Sequence, residues 1–139
     1  MLKGFRPIDD EVGWSPADSH LGDFVQVDFG TATGWSLIAE YVYGNTSVWI
    51  QATPVSYRVH DESELIHYWN RRQEEDVLVA FAYEIEVSPY LDEMKNGVTS
   101  MIGTGLRHFL CAGQNTCVEI IAEQPPMILT QRPAVRSNR

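Results

Sequence analysis

The chain has 139 residues, a net charge of −9 and a hydrophobic fraction of 44%. This length fits a single domain, and the apolar content is too high for a disordered chain. All 19 acidic residues lie within residues 1–126 beside seven basic ones, which gives that region a charge of −12, whereas Arg132, Arg136 and Arg139 make the tail basic. So acidic a region repels phosphate backbones, which disfavours direct nucleic-acid binding and favours a basic protein partner.

The sequence contains no signal for membrane insertion or export. No apolar run approaches the length of a membrane span, and Asp9, Asp10 and Glu11 stand where a signal peptide would be apolar. We therefore expect a cytoplasmic protein that has no membrane partner and is monomeric when free. Cys111 and Cys117 are compatible with a disulfide or with two buried thiols, and buried thiols are the commoner state.

The first half of the chain has the pattern of a small antiparallel sheet. Residues 1–22 are punctuated by glycine and proline, which indicates irregular structure with one helical turn at residues 15–21. Alternating apolar residues then occur at 23–29, 35–43 and 47–52, separated by two short glycine-containing loops. This spacing predicts an antiparallel meander, and residues 55–59 resume strand pairing after Pro54.

The second half combines helices with strands. Residues 61–72 begin with a capping-box sequence and predict a short helix. Residues 77–87 are the most apolar stretch of the chain and predict a central strand. Residues 88–111 open with Ser-Pro and repeat apolar residues at spacings of three and four, which predicts a long helical segment, either as one rod or with a break near Gly97.

The chain ends with residues 117–122, which read as another strand, followed by two prolines. The sequence as a whole predicts an α+β fold with a mainly antiparallel sheet of about five to six strands. The helical segment 88–111 is expected to pack on one face of this sheet, beside the short helix 61–72. We expect one α+β domain over residues 1–126, with an edge piece and a flexible basic tail in residues 127–139.

No pattern in the sequence indicates catalysis, a metal or a cofactor. The four histidines have no metal-ligand spacing, and the glycine-rich loop at residues 30–34 is followed by a strand instead of a phosphate-binding helix. Cys111 and His108 could form a nucleophile and base, but their position at the end of an apolar face favours a core cysteine and a surface histidine. We therefore expect no enzymatic activity and no cofactor.

A set of acidic and aromatic residues remains that the expected fold leaves exposed. Carboxylates around aromatic anchors suit the docking of a basic protein, and the alternative is a surface that only confers solubility. Glu84 and Glu86 share one face of a strand, where they would form a negative ridge. The candidate partner-binding residues are Asp9, Asp10, Glu11, Trp14, Glu74, Glu75, Asp76, Glu84 and Glu86.

Residues 23–30, 44–50 and 52–57 form a strand, a glycine turn, a second hairpin and a Thr-Pro before a helix. In this order they resemble the immunity proteins of bacterial polymorphic toxin and contact-dependent growth inhibition systems. The resemblance covers about residues 15–60. It implies a small cytoplasmic protein that neutralises one cognate toxin, often a nuclease, by covering its active site or substrate groove.

The leading hypothesis is therefore an immunity-type inhibitor, whose acidic and aromatic surface binds the basic domain of a cognate toxin protein. A phage-type inhibitor that mimics the charge of DNA belongs to the same class. A small enzyme or ligand carrier is the alternative from another class, and self-association through exposed strand ends is a third. The ligand pocket would lie between the sheet and the long helix and would be lined by Trp35, Tyr83, Met94, Met101 and Cys111.

Overall fold

The computed structural model describes residues 1–14, 22–31, 34–97 and 105–133, and it leaves undescribed the side chains of residue 23 and residues 25–35. The predicted turn at 15–21, residues 98–104 of the predicted helix and tail residues 134–139 lie outside the described residues. The strands are β1 (Lys3–Pro7), β2 (Asp23–Thr31), β3 (Gly34–Tyr43), β4 (Thr46–Ala52), β5 (Ser56–Asp61), β6 (Ala82–Val87), β7 (Arg107–Cys111), β8 (Thr116–Ala122) and β9 (Met127–Leu129). The helices are α1 (Asp9–Val12), α2 (Ile66–Glu74) and α3 (Pro89–Asn96), and a 3₁₀ turn (Glu62–Leu65) precedes α2.

The described strands form two antiparallel sheets. The larger sheet has five strands in the order β1-β6-β7-β8-β5, and the smaller has four in the order β2-β3-β4-β9. Alternate residues of β3 and β4 pack against β7 and β8 in one hydrophobic cluster, so the two sheets face each other across a shared core. The predicted α+β class and the meander of β2, β3 and β4 are confirmed.

Helices α2 and α3 cover the opposite face of the five-stranded sheet, whereas Val12 of α1 packs against the core between the sheets. Tyr68 of α2 and the preceding Leu65 pack on side chains of β1, β6 and β7, while Tyr90 and Leu91 of α3 pack against Ile121 of β8. The predicted short helix at 61–72 is confirmed as the 3₁₀ turn followed by α2. Its start is a capping box, because the Asp61 side chain accepts from Ser63 N and the Glu64 side chain accepts from Asp61 N.

The predicted helical segment at residues 88–111 is confirmed in its start at Ser88-Pro89 and in the break near Gly97, but its continuation to residue 111 is wrong. Helix α3 ends at Asn96, and residues 107–111 form β7. Four consecutive β7 residues, 108–111, are buried, because β7 lies in the middle of the five-stranded sheet and is covered on both faces. A continuous apolar run of this kind cannot be distinguished from a helical face by its spacing alone.

The predicted central strand at residues 77–87 begins later than its composition suggests. Only Ala82–Val87 pairs, as β6, and Leu78 and Val79 are exposed. The backbone before β6 has other partners, since the Tyr83 hydroxyl accepts from Ala80 N and donates to Leu78 O. The strand count was also too low, because β1 and β7 were not recognised as strands.

Strand β1 was not predicted because it contains Gly4 and Pro7, and glycine and proline usually indicate irregular structure. Gly4 has φ +80, a left-handed conformation that L side chains rarely adopt. A Cβ atom at residue 4 would also lie 2.5 Å from the Cβ of Glu86. Glycine is therefore required where β1 passes β6, and it does not mark the end of a strand there.

Candidate functional site

The three groups of candidate acidic residues, which are far apart in the sequence, converge around β1. Among the described strands, β1 lies at the edge of its sheet and pairs with β6 alone, which carries Glu84 and Glu86. Helix α1 follows β1 directly and contains Asp9, Asp10 and Glu11. The end of α2 reaches β1 through Glu75, whose carboxylate accepts hydrogen bonds from Gly4 N (2.9 Å) and Phe5 N (2.8 Å). The fold thus gathers these carboxylates around an edge strand that itself carries Lys3 and Arg6.

Glu84 is held by two arginines. Its carboxylate accepts from Arg107 Nε and Nη2, each at 2.8 Å, and also pairs with Arg6. Glu11 contacts the same two guanidinium groups, at 3.2 Å from Arg6 and 3.5 Å from Arg107. The hydrogen bonds from Arg107, and then those from Arg6, lower the pKa of Glu84 against the opposing effect of burial. The expected negative ridge is therefore neutralised at Glu84.

Glu75 and Asp9 fasten backbone segments to one another. Burial alone would raise the pKa of Glu75, but its hydrogen bonds with Gly4, Phe5 and Arg71 lower it overall. The Asp9 carboxylate accepts from Phe81 N (3.1 Å) and Ala82 N (2.8 Å), which ties α1 to the start of β6. Burial is the largest effect on Asp9 and raises its pKa in spite of these two bonds.

Trp14 is half-buried and packs edge-on against two aromatic rings. Its ring centroid lies 5.0 Å from that of Tyr43 and 5.3 Å from that of Phe81. Tyr43 belongs to the four-stranded sheet, whereas Phe81 precedes β6 of the other sheet. Trp14 therefore closes the end of the core between the sheets and offers only part of its surface to a partner.

The remaining candidate residues point outward. Glu74 is exposed and pairs with Arg71 at 3.0 Å, an interaction of small energetic weight at the surface. Asp10, Asp76 and Glu86 are exposed and have no ion pair within the described ranges. Asp76 has φ 57, the left-handed conformation of a residue that ends a helix. Of the nine candidates, these four carboxylates and Glu11 are exposed.

A shallow pocket of about 330 Å³ adjoins this region between β1, β6, β7 and α3. Its lining includes the cationic side chains of Arg6, Lys95 and Arg107 beside Glu84 and Glu86. Positive and negative groups alternate over a short distance in this pocket. Because Glu84 and Glu11 together balance the charge of both arginines, the pocket does not select for one sign of charge.

The sequence-based prediction missed a buried polar cluster centred on Glu119 of β8. Glu119 is 0% exposed and accepts from Tyr68 OH (2.7 Å), His108 Nε2 (2.7 Å) and Arg58 Nη2 (2.8 Å). His60 Nε2 also lies 2.7 Å from a Glu119 oxygen but makes no hydrogen bond to it. The signal available in the sequence was a lone carboxylate inside the apolar run 117–122, because such a group must find partners when buried.

His108 extends this cluster to the start of α3. Its Nδ1 lies 2.7 Å from Ser88 Oγ, which also caps α3 by accepting from Leu91 N at 3.0 Å. An ionised Glu119 requires a proton on Nε2, so in neutral His108 the Ser88 hydroxyl donates to Nδ1. The expectation of a surface histidine at 108 is wrong, since His108 is 0% exposed.

Ser88, His108 and Glu119 are linked by hydrogen bonds in the same order as the catalytic triad of a hydrolase. Here, however, these groups hold the fold together. Ser88, His108 and Glu119 are each 0% exposed, and the Ser88 hydroxyl is occupied by the helix cap. In the described ranges, no group of three or more His, Cys, Asp or Glu side chains has the spacing to hold a metal ion. The cluster joins α2, α3 and three strands, which is a structural role.

Two of the side chains expected to line a pocket between the sheet and a long helix lie apart from each other. Tyr83 and Cys111 are fully buried in different hydrophobic clusters, on opposite faces of the five-stranded sheet. Met94 belongs to the packing of α3, while Met101 and the Trp35 side chain lie outside the described residues. Both cysteines are free and buried, and burial raises the pKa of Cys117 to about 11.

No family model, curated protein or solved structure matches this chain. Among the helices that the structure describes, none is long and apolar enough to cross a membrane. The geometry and charge of the chain itself, above all in the region around β1, therefore carry the information about function.

Proposed function

We propose that the protein is an immunity-type inhibitor, which binds and neutralises a cognate, basic toxin domain through the acidic and aromatic surface around β1. The observation that carries this proposal is the convergence of acids from α1, the end of α2 and β6 on one edge strand. A partner could contact all three groups at once, which scattered solubilising charges would not allow.

Charge supports the same function. Five carboxylates of the described residues pair with four arginines, and Asp10, Asp76 and Glu86 remain outside these pairs. Unpaired surface carboxylates attract a cationic partner over roughly a Debye length and raise its association rate. The internal pairs hold the backbone around β1 in place, so little ordering of that region is needed on binding.

Co-expression in bacteria with the toxin gene encoded next to this one tests the proposal. We expect the chain to restore growth and to co-purify with the toxin domain as a stoichiometric complex. If no toxin gene is adjacent, or if the toxin kills cells equally with and without the chain, the proposal is wrong.

Matched charge variants identify the surface. The triple variant D10N/D76N/E86Q removes three outward carboxylates from the region around β1. The control D92N/E93Q/E123Q removes three exposed carboxylates elsewhere, so both variants have the same net charge. We expect the first variant to weaken complex formation by about tenfold or more, and the control to have a several-fold smaller effect. Equal weakening would attribute binding to net charge alone.

A further inference from the structure

The segment between α2 and β6, residues 77–80, exposes adjacent large apolar side chains. Leu78 is 81% exposed and Val79 is 49% exposed. Other exposed apolar residues of the described chain, such as Ile66 and Met127, have no such neighbour in sequence. Isolated apolar residues are normal on protein surfaces, but adjacent ones in a β-prone segment indicate contact with something outside the chain.

The backbone of this segment is also available for pairing. Residues 77–80 belong to no helix or strand, although valine and leucine at these positions favour strand structure. Val79 makes no hydrogen bond within the described part of the chain, through either its N–H or its C=O. The backbone N–H and C=O of Val79 can therefore bond to a strand from another chain.

Both ends of the segment are fixed. Val77 N donates to Arg72 O at 3.1 Å, and the Arg72 side chain donates to Val77 O. Ala80 N donates to the Tyr83 hydroxyl at 2.7 Å, and Ala80 itself is buried. The exposed residues 78 and 79 are thus presented between two anchored neighbours, which lowers the entropic cost of binding at this position.

Acidic groups flank the segment at each end. Asp76 precedes it and is exposed. Asp9 binds the N–H groups of Phe81 and Ala82, which places α1 and its exposed Asp10 beside the other end. The Arg72 guanidinium is occupied by Val77 O at the first of these ends. An apolar contact with an exposed carboxylate at each end is complementary to an extended segment that combines apolar and basic residues.

We infer that residues 77–80 are a docking segment for an extended, basic stretch of the partner protein, an inference that rests on the proposed function. The partner strand hydrogen-bonds with the free backbone groups of Val79, and its apolar side chains contact Leu78 and Val79. Its lysines and arginines pair with Asp76 and Asp10. This arrangement assigns the centre of the interface to a segment in which the sequence predicted a buried strand.

A peptide titration followed by NMR tests the inference without requiring the toxin. The probe is a synthetic peptide of alternating lysine and valine, and its matched control alternates glutamate and valine. We expect the lysine peptide to shift amide signals of residues 76–81, to bind more weakly at about 0.3 M salt, and to bind far better than the glutamate peptide. Shifts confined to other regions, or equal binding of both peptides, would overturn the inference.

The variant L78S/V79S removes the apolar contact, and M127S is the control because Met127 is exposed on the other sheet. We expect L78S/V79S to weaken peptide binding at least about tenfold and M127S to change it less than about twofold. Neither variant removes a buried side chain, so unchanged thermal unfolding should show that both are folded. Sedimentation showing a wild-type dimer that L78S/V79S abolishes would assign the segment to self-association and contradict the inference.

The toxin assay separates this inference from the function on which it rests. If wild-type chain restores growth and L78S/V79S restores it equally, the docking segment is wrong and the proposed function stands. If wild-type chain fails to restore growth, the proposed function is wrong whatever the peptide titration shows. Loss of rescue in L78S/V79S, with rescue kept in M127S, supports both.

Discussion

At the scale of single residues, Glu119 is the carboxylate on which a buried polar cluster depends. It is fully buried, and Tyr68, His108 and Arg58 donate hydrogen bonds to it. Burial alone would raise its pKa, but the bonds from His108, Tyr68 and Arg58 lower the pKa from 4.5 to about 2. A pKa below its ordinary value in the folded state means that ionised Glu119 stabilises the fold above about pH 4.5 and that this contribution disappears as the pH falls toward 2.

Replacement of this side chain by glutamine removes the charge at nearly constant volume. We expect E119Q to lower the free energy of unfolding at neutral pH by on the order of 3 kcal/mol, because Arg58 loses its partner and the buried donors face a weaker acceptor. The difference from wild type should shrink steadily between about pH 5 and pH 2. Urea unfolding across that range measures it, with the exposed E123Q as the control. A stability difference between wild type and E119Q that does not depend on pH would show that ionised Glu119 does not stabilise the fold.

At the scale of elements, β1 is a five-residue edge strand stabilised by a side chain as well as by its neighbour. The Glu75 carboxylate accepts hydrogen bonds from the N–H groups of Gly4 and Phe5. Without it, these N–H groups could pair with a strand of another molecule. The lowered pKa of Glu75 indicates that the carboxylate is ionised when it makes these bonds. One side chain thereby fastens α2 to β1 and protects the edge.

Substitution of Glu75 tests this role of the element. We expect E75Q to cost about 1–2 kcal/mol of stability, because an amide accepts backbone hydrogen bonds less strongly than a carboxylate does and donates where an acceptor is needed. Hydrogen exchange at the Gly4 and Phe5 amides should accelerate, while exchange in β7 should follow only the global change. E74Q is the matched control, since Glu74 is exposed. Equal acceleration in E74Q would show that charge at the end of α2 is the cause.

The sequence predicted the features that depend on residues close together in the chain, and it did not predict those that depend on distant residues. The β2-β3-β4 meander and the Ser88 cap depend on residues a few positions apart, and both were predicted. The identity of residues 107–111 as a strand depends on neighbours as distant as Ala82 and Ala122, so its apolar run was read as a helix.

The candidate site was likewise predictable only where its residues are close together in the sequence. Clusters of acidic residues were visible in the sequence, but their partners were not. Arg6 reaches Glu84 through the pairing of β1 with β6, and Gly4 reaches Glu75 through the packing of the end of α2 beside β1. The sequence therefore indicated which residues carry the charge. It could not indicate that Glu75 and Glu84 are largely used within the fold while Asp76 and Glu86 face outward.

At the scale of the whole molecule, the two sheets are joined through one core. Tyr41 of β3 is fully buried, and its hydroxyl donates to the backbone oxygen of Cys111 in β7 at 3.1 Å. The Tyr41 ring also packs edge-on against Phe81 at 5.3 Å. Because side chains of both sheets fill this single cluster, neither sheet can keep its buried face covered without the other.

This shared core predicts one cooperative unfolding transition. We expect Y41F to lower stability by about 1–3 kcal/mol, since removing the hydroxyl leaves the Cys111 carbonyl without that donor in a buried position. The transition should nevertheless remain single, because the ring and its packing are kept. Near-ultraviolet and far-ultraviolet circular dichroism in urea, together with hydrogen exchange in β3 and β7, measure whether the sheets unfold together. Separate midpoints for the two sheets, in wild type or in Y41F, would show that each sheet is stable alone and that the core between them is not what holds the molecule together.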